Sequence, residues 1–447
     1  MNNQQPGYHI LTYGCQMNVR DSEIIAGLLE NSGYVKKSNP EDAAVVVFNT
    51  CSVRHSAENK VYGKIGEIKK MKQKHPDLMI AVGGCMSQLP DVITRLKKLQ
   101  VDVVFGTHNI HELPQLIDEA RRSHKRVVNV WQEHGEIIES LPSVRNDQST
   151  AFVNIMYGCN NFCSYCIVPY TRGRERSRQP EDVINELKEL AQSGVEEVTL
   201  LGQNVNSYGR GLEKQIDFSD LLKMADEVEG LKRIRFTTSH PKDVSDRLID
   251  TIANGNKLCE HFHIAMQSGS NDVLKRMNRG YTREHYLELT KKIRERIPGC
   301  AITTDIIVGF PGETEQDFVD TLDMIEKVRF DAAFTFMYSV RKGTRAAEFE
   351  NQVPQDVKRD RLMRLNKVQY QIAYEINHAL EGSTHQVLVE GPSKTNEEML
   401  TSRTRQNRIV IFSGVKSLIG QLINVRIING KTFSLFGEHV PDIEEGK

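Results

Sequence analysis

Hydrophobic residues recur along this chain in two rhythms. Apolar runs of strand length read YHILTYGC (Tyr8–Cys15), AAVVVFNTC (Ala43–Cys51), MIAVGGC (Met79–Cys85) and VDVVFG (Val101–Gly106). Between them lie stretches such as Asp21–Ser32 and Ala57–His75, whose Leu and Ile positions repeat at helical spacing. Strand, helix, strand in repetition predicts a parallel sheet covered on both faces. The polar segment SLPSVRNDQST (Ser140–Thr150) then interrupts the rhythm and marks a boundary.

Beyond it the alternation resumes with six strands predicted: Ala151–Gly158, Val195–Gly202, Arg233–Ser239, His261–Gln267, Ala301–Val308 and Asp331–Tyr338. Helical patterns separate them, the first starting at Pro180, a residue suited to an opening helical turn. Six such units resemble a (β/α)8 barrel short of two units, which predicts an open, partial (β/α)6 barrel. A basic helical stretch (Gln355–Ala379) leads to a change of pattern near Gly382. After it come only short alternating strands, the mark of a small all-β barrel, and a polar tail IEEGK expected to be frayed. The fold class is therefore α/β, with expected domains at 1–142, 143–378 and 379–442.

Composition narrows the class of function. No apolar run approaches the ~18 residues of a membrane span. Met1–Gly7 is polar and lacks the features of a secretory signal, so a cytoplasmic protein is expected. Lys and Arg number 58 against 59 Asp and Glu, so a nucleic-acid partner can be argued only from local patches. Eight cysteines in such a chain point to metal or redox chemistry and not to a disulfide scaffold.

Three of them form Cys159-Asn-Asn-Phe-Cys163-Ser-Tyr-Cys166, directly after the first barrel strand. Structural zinc prefers four ligands in paired C-x2-C units, and no second pair exists. Three thiolates on one loop suit an iron–sulfur cube that keeps one iron open. Cys15, Cys51 and Cys85 are far apart in sequence, yet each ends a predicted parallel strand. Ligands of such sheets bind at the carboxyl ends of the strands, so the three thiols are expected to converge on one edge. Cys259 and Cys300 precede strands and read as core residues.

In β/α barrels the active site is built from the loops after the strands. Here those loops read GCNNFCSYC, GQN (Gly202–Asn204), SHP (Ser239–Pro241), QSGS (Gln267–Ser270), GFPGE (Gly309–Glu313) and YSV (Tyr338–Val340). Gly309 and Gly312 would let backbone approach a ligand closely.

C-x3-C-x2-C with Tyr165 before its last cysteine resembles the radical S-adenosylmethionine superfamily. From about Tyr8 to His439 the chain resembles the methylthiotransferases of that superfamily, which append a small RNA-binding β-barrel, the TRAM domain. TYGCQMNVRDSE, NTCSVR and CIVPYTRGRERSR look most like the branch acting on N6-isopentenyladenosine in bacterial tRNA. YSVRKGTR (Tyr338–Arg345) departs from a proline-containing form in relatives. The resemblance implies two [4Fe–4S] clusters. Cys159, Cys163 and Cys166 would hold one, whose open iron binds S-adenosyl-L-methionine and yields a 5′-deoxyadenosyl radical. Cys15, Cys51 and Cys85 would hold an auxiliary cluster carrying the sulfur to be inserted and methylated. Tyr165, Gln203, Ser239, Gln267, Arg279, Gly309 and Gly312 match the motifs as cofactor contacts, Arg279 reading equally as a solvated helix-end charge. An electron donor such as flavodoxin or ferredoxin, a sulfur source, a tRNA anticodon loop and a monomeric state are further expectations.

Local basic runs make an RNA track plausible: RGRERSR (Arg172–Arg178), RKGTR (Arg341–Arg345), Lys358–Lys367 and SRTRQNR (Ser402–Arg408), with Arg403, Arg405 and Arg408 expected to bind RNA. Competing readings are a methylthiotransferase for threonylcarbamoyl-adenosine or a ribosomal-protein aspartate, a two-cluster electron-transfer protein, and a non-catalytic RNA-binding module.

Overall fold

A computed structural model describes residues 5–52, 55–133, 135–145, 147–394 and 396–441; Val53 and Arg54 of NTCSVR, the tail IEEGK and the last residue of the expected third domain lie outside the described residues. The first sheet is wholly parallel. Its strands are β1 (Gly7–Thr12), β2 (Val35–Lys36), β3 (Val45–Thr50), β4 (Met79–Gly84), β5 (Val103–Phe105) and β6 (Val127–Asn129), in spatial order β2-β1-β3-β4-β5-β6. β3 and β4 are buried along their whole length, which is why they read as unbroken apolar runs. The edge strands β2 and β6 were not expected; runs of two and three residues are too short for periodicity to mark.

The central domain starts with β7 (Thr150–Asn154), followed by the two-stranded ribbon β8 (Met156–Tyr157) and β9 (Arg176–Ser177), which pinches the base of the cysteine loop. β10 (Glu197–Leu201), β11 (Arg233–Phe236), β12 (His261–His263), β13 (Ala301–Val308) and β14 (Ala332–Met337) complete the parallel set. β7-β10-β11 and β12-β13-β14 form two sheets, joined by bridges such as Ser239 to Ile264. Among the described residues nothing pairs β14 with β7, so the barrel is open, as the missing two units predict. Its core is apolar on the helix side, with Phe236 wedged edge-on between Phe218 and Phe262. Cys259 and Cys300 are buried just before β12 and β13, on the rim opposite the cysteine loop.

A 24-residue helix, Gln355–His378, runs from the β14 loop to the last unit, where β15 (Thr384–Pro392), β16 (Met399–Thr404), β17 (Ile409–Ser413), β18 (Leu422–Gly430) and β19 (Leu435–Val440) close a small barrel. This barrel plugs the lower mouth of the open one. Arg233 and Arg235 point inward from β11 by strand alternation and donate to the Arg403, Gln386, Arg405 and Thr404 carbonyls at 2.7–2.9 Å. Arg235 is held by Glu197 at 2.7 and 2.9 Å.

That interface bears on one expectation. Arg405 binds Glu260 at 2.7 Å, Arg408 binds Asp331, and Arg403 binds Glu390 at 2.6 Å. Glu260 and Asp331 precede β12 and β14, on the rim away from the cysteine loop. Two of the three arginines expected to bind RNA therefore dock the small barrel, and all three are neutralised within the chain. No helix among the described residues is long and apolar enough to cross a membrane.

Candidate functional site

The first sheet and the open barrel meet with their strand C-termini face to face. In the sheet, Thr50 pairs with Gly84, so Cys51 and Cys85 leave adjacent strands at one level. A Cβ on Gly84 (φ 90°) would strike the Thr50 carbonyl oxygen at 2.3 Å, so only glycine permits this approach. Cys15 departs slightly from expectation. β1 ends at Thr12, and Cys15 caps the helix Gln16–Asn31 three residues later. Two buried asparagines fix these ends. Asn18 reaches the Asn49 side chain (3.1 Å) and the Thr50 carbonyl (3.2 Å), while Asn49 donates to the Asn18 carbonyl (2.8 Å) and Ser22 (2.9 Å). These are the polar letters of CQMN and NTC. Sequence reading used both motifs without seeing that their asparagines bind each other.

Each auxiliary cysteine has a neighbour from the barrel rim. Beside Cys85, Arg172 donates to the sulfur at 3.3 Å and pairs with Asp21 at 2.7 Å, all three nearly without exposure. Beside Cys51, Arg341 of the YSVRKGTR loop acts on the thiol electrostatically and pairs with Glu58 at 3.5 Å. Near Cys15, Gln203 contacts the Met17 sulfur. The RGRERSR run is thus only in part a solvent patch: Arg172 is buried, and Arg178 is buried between Glu139 and Glu186 at 2.5 Å each, while Arg174 stays exposed over the Phe162 ring.

Across the cleft lies the loop of Cys159, Cys163 and Cys166. The Ser164 amide donates to the Met277 carbonyl (3.0 Å) and its hydroxyl to the Arg276 carbonyl (2.8 Å), while Asn278 ties down the Asn161 and Phe162 carbonyls. Arg279 is buried, not a solvated helix-end charge. It donates to the Cys163 sulfur at 3.3 Å and the Ala265 carbonyl at 2.6 Å. Burial pushes the Cys159 thiol up to about 11 and the Cys166 thiol up to about 12, and raises that of Cys85 against the pull of Arg172. Such thiols ionise only against a strong cation, as when they bind metal. Among the described residues no three His, Cys, Asp or Glu side chains close on a point fit for a single metal ion.

Three of the rim residues expected to touch cofactor carry a buried oxygen without a partner: Gln203, Ser239 and Gln267, on successive loops after β10, β11 and β12. Buried polar atoms are rarely left unpaired, so three around one rim fit a polar ligand. Tyr165 sits edge-on to Phe310 at 6.5 Å. Gly309 and Gly312 each have a close neighbour within the chain. A Cβ on Gly309 would strike the Lys358 stem at 2.3 Å, and the Gly312 amide donates to the Asn351 carbonyl. Asp21, Asn18 and Asn49 are the residues that sequence reading passed over, and Arg172 it read only as part of a basic run. The only signal for them was polar letters at inward helical or strand positions.

The family model described as the Radical SAM superfamily matches residues 153–325, that of the Uncharacterized protein family UPF0004 residues 7–106, and that of the TRAM domain residues 378–440. The fold and site thus define a radical S-adenosylmethionine protein with a cysteine-bearing α/β domain before it and a TRAM domain after it. A solved structure of the radical S-adenosylmethionine methyltransferase TsrM from Kitasatospora setae, with cobalamin and a [4Fe-4S] cluster bound, shares the fold: TM-score 0.58 and 15% identity over 77% of this chain and 74% of that one. Curated relatives are far nearer. The tRNA-2-methylthio-N(6)-dimethylallyladenosine synthase of Syntrophomonas wolfei subsp. wolfei is 67% identical, covering 96% of this chain and 97% of its own. That of Alkaliphilus oremlandii is 54% identical over 97% and 93%. The chain belongs to the tRNA-2-methylthio-N(6)-dimethylallyladenosine synthase family.

Proposed function

We propose that this chain converts N6-isopentenyladenosine beside the anticodon of tRNA to its 2-methylthio form. One observation supports the reading: barrel-rim residues Arg172, Gln203 and Arg341 reach the ends of the sheet that carry Cys85, Cys15 and Cys51. A C2–H on an aromatic ring offers no acid–base route at neutral pH, so its replacement by sulfur calls for radical chemistry, which belongs to cofactors. Cys159, Cys163 and Cys166 would hold one [4Fe–4S] cluster and Cys15, Cys51 and Cys85 the other; the first, with S-adenosyl-L-methionine, supplies one-electron cleavage of a sulfonium.

The chain's own groups position and shield. Arg279 and Arg172 each aim one N–H at a cysteine sulfur, which favours the thiolate and fixes its direction. Gln203, Ser239 and Gln267 offer buried polar atoms to the amino and carboxylate groups of S-adenosyl-L-methionine. The small barrel below, locked by Arg233 and Arg235, closes the open barrel against water. Electrons are supplied by flavodoxin or ferredoxin and sulfur by a separate donor, in the cytoplasm, with the enzyme acting as a monomer.

Mass spectrometry of tRNA nucleosides from a strain lacking this chain tests the assignment: the 2-methylthio form disappears and its isopentenyl precursor accumulates. An unchanged nucleoside profile overturns it. Anaerobically reconstituted protein should also be brown, release acid-labile sulfide and cleave S-adenosyl-L-methionine when dithionite is present.

A further inference from the structure

The expected RNA ligands Arg403, Arg405 and Arg408 are spent on ion pairs, so the tRNA needs another surface. The helix Gln355–His378 supplies one. Arg359, Met363, Lys367, Tyr370, Tyr374 and His378 are spaced by four, four, three, four and four residues, which places them on one face. All six are exposed, Met363 by 61%, Tyr370 by 41% and Tyr374 by 42%. At 1.5 Å per residue the stripe is about 28 Å long.

Large apolar side chains are seldom left in water in a line, and these remain exposed. Tyr374 stacks on His378, with ring centroids 5.4 Å apart and planes 10° apart. Phe433, 71% exposed in the β18–β19 turn, meets Tyr370 edge-on at 5.0 Å. The turn is held there by Asn377, which donates to the Lys431 carbonyl at 2.7 Å.

Among the described residues Arg359 and Lys367 have no acidic partner, as is also true of the exposed Arg174 and Arg345 beside the cysteine loop, whereas Arg172, Arg405 and Arg408 are engaged. The acids beside the stripe are already tied: Asp360 to Arg364 at 3.1 Å, Glu375 to Arg329 at 2.7 Å and Glu381 to His378 at 2.8 Å. Asp356 lies one turn beyond its upper end. Free cations followed by aromatic faces along one groove suit single-stranded nucleic acid, phosphates pairing and bases stacking.

The stripe also runs in the right direction. Its upper end abuts the cysteine-side rim, where Lys358 donates to the Tyr338 carbonyl and Arg361 binds Glu313 of the GFPGE loop at 2.8 Å. Its lower end reaches the TRAM barrel through Asn377.

We infer that this face, continued by Phe433, is the RNA track, on which unpaired nucleotides of the tRNA stack while the target adenosine enters the cleft. The inference rests on the proposed function and adds the surface that delivers the substrate.

The test uses the full, cluster-loaded enzyme and an unmodified or prenylated anticodon stem–loop RNA. Tyr370→Ala/Phe433→Ala should weaken binding about 5- to 150-fold for each stacked base lost. Arg359→Gln/Lys367→Gln should lower the salt dependence of binding by about 0.7 log units per contact. Iron content and cleavage of S-adenosyl-L-methionine without RNA should be unchanged, and Tyr370→Phe, which keeps the ring, should restore affinity. Unchanged affinity in both double variants overturns the track. So does loss of self-association without loss of RNA binding, which would assign the face to a second copy of the chain. If the unaltered enzyme binds no tRNA at all, the functional reading itself fails, an outcome distinct from either.

Discussion

The two cysteine triads of this molecule are built in opposite ways. Cys159, Cys163 and Cys166 share one loop, pinched at its base by β8 and β9 and fastened by Ser164 and Asn278. Cys15, Cys51 and Cys85 come from three strand ends, assembled by the register of the sheet and by Asn18 and Asn49. Both nevertheless receive one buried arginine N–H at 3.3 Å from a sulfur. The arginines differ in what anchors them. Arg279 leans on a carbonyl from its own domain, but Arg172 crosses from the barrel to Asp21 of the sheet. The local triad is a property of one loop; the assembled one depends on two domains being docked.

The widest separation between the triads should come from emptying each in turn. Replacing Cys159, Cys163 and Cys166 by Ala should remove about half the iron and abolish reductive cleavage of S-adenosyl-L-methionine, because half the thiol ligands of two equal clusters are lost. Replacing Cys15, Cys51 and Cys85 should remove the other half and leave uncoupled cleavage. Iron and sulfide assays decide, and full iron content in the second variant would mean that the three strand ends hold no cluster.

The arginines offer the next largest contrast. Arg172→Gln strands the buried Asp21 carboxylate, at a cost of about 3–5 kcal/mol. Arg279→Gln leaves no buried acid behind and should cost less, about 1.5–3 kcal/mol for its hydrogen bonds. Urea unfolding of the metal-free proteins compares them, and Asp21→Leu/Arg172→Met should regain much of the first loss. Equal costs would erase the distinction between a bridging and a local arginine.

Substrate choice sharpens the picture of the shared cleft. Burying the five carbons of a prenyl group could contribute up to ~4 kcal/mol at about 0.8 per carbon. Unprenylated tRNA should therefore react far more slowly under single-turnover conditions, and equal rates would remove the prenyl group from recognition. The smallest effect is expected furthest from both triads. Arg405→Gln/Arg408→Gln should loosen the TRAM barrel, read as faster proteolysis after His378. The salt slope of tRNA binding should not fall by the ~0.7–0.9 log units expected per lost phosphate contact.

The contrast also explains what could be read in advance. A contiguous motif such as C-x3-C-x2-C states its own geometry, and strand and helix rhythms state the layer order. Three thiols at strand ends could be grouped only by assuming a parallel sheet, and that held except for the three-residue step from Thr12 to Cys15. Basic runs misled. RGRERSR and SRTRQNR look alike as charge patches, but their partners, Asp21, Glu139, Glu260 and Asp331, are remote in sequence. Gly309 looked like a ligand-facing glycine, and the space beside it is filled by Lys358.

By itself the sequence determined the α/β architecture, the open six-stranded barrel and the closed C-terminal barrel, because hydropathy periods are local properties of a chain. Only the tertiary structure decided which arginines are free. Whether a guanidinium is neutralised depends on which carboxylate the fold carries to within hydrogen-bonding distance, and burial makes that pairing obligatory. Folding consumed the charges of Arg172, Arg178, Arg405 and Arg408 in joining domains and left Arg359 and Lys367, among the described residues, without an acidic partner on a partly aromatic face.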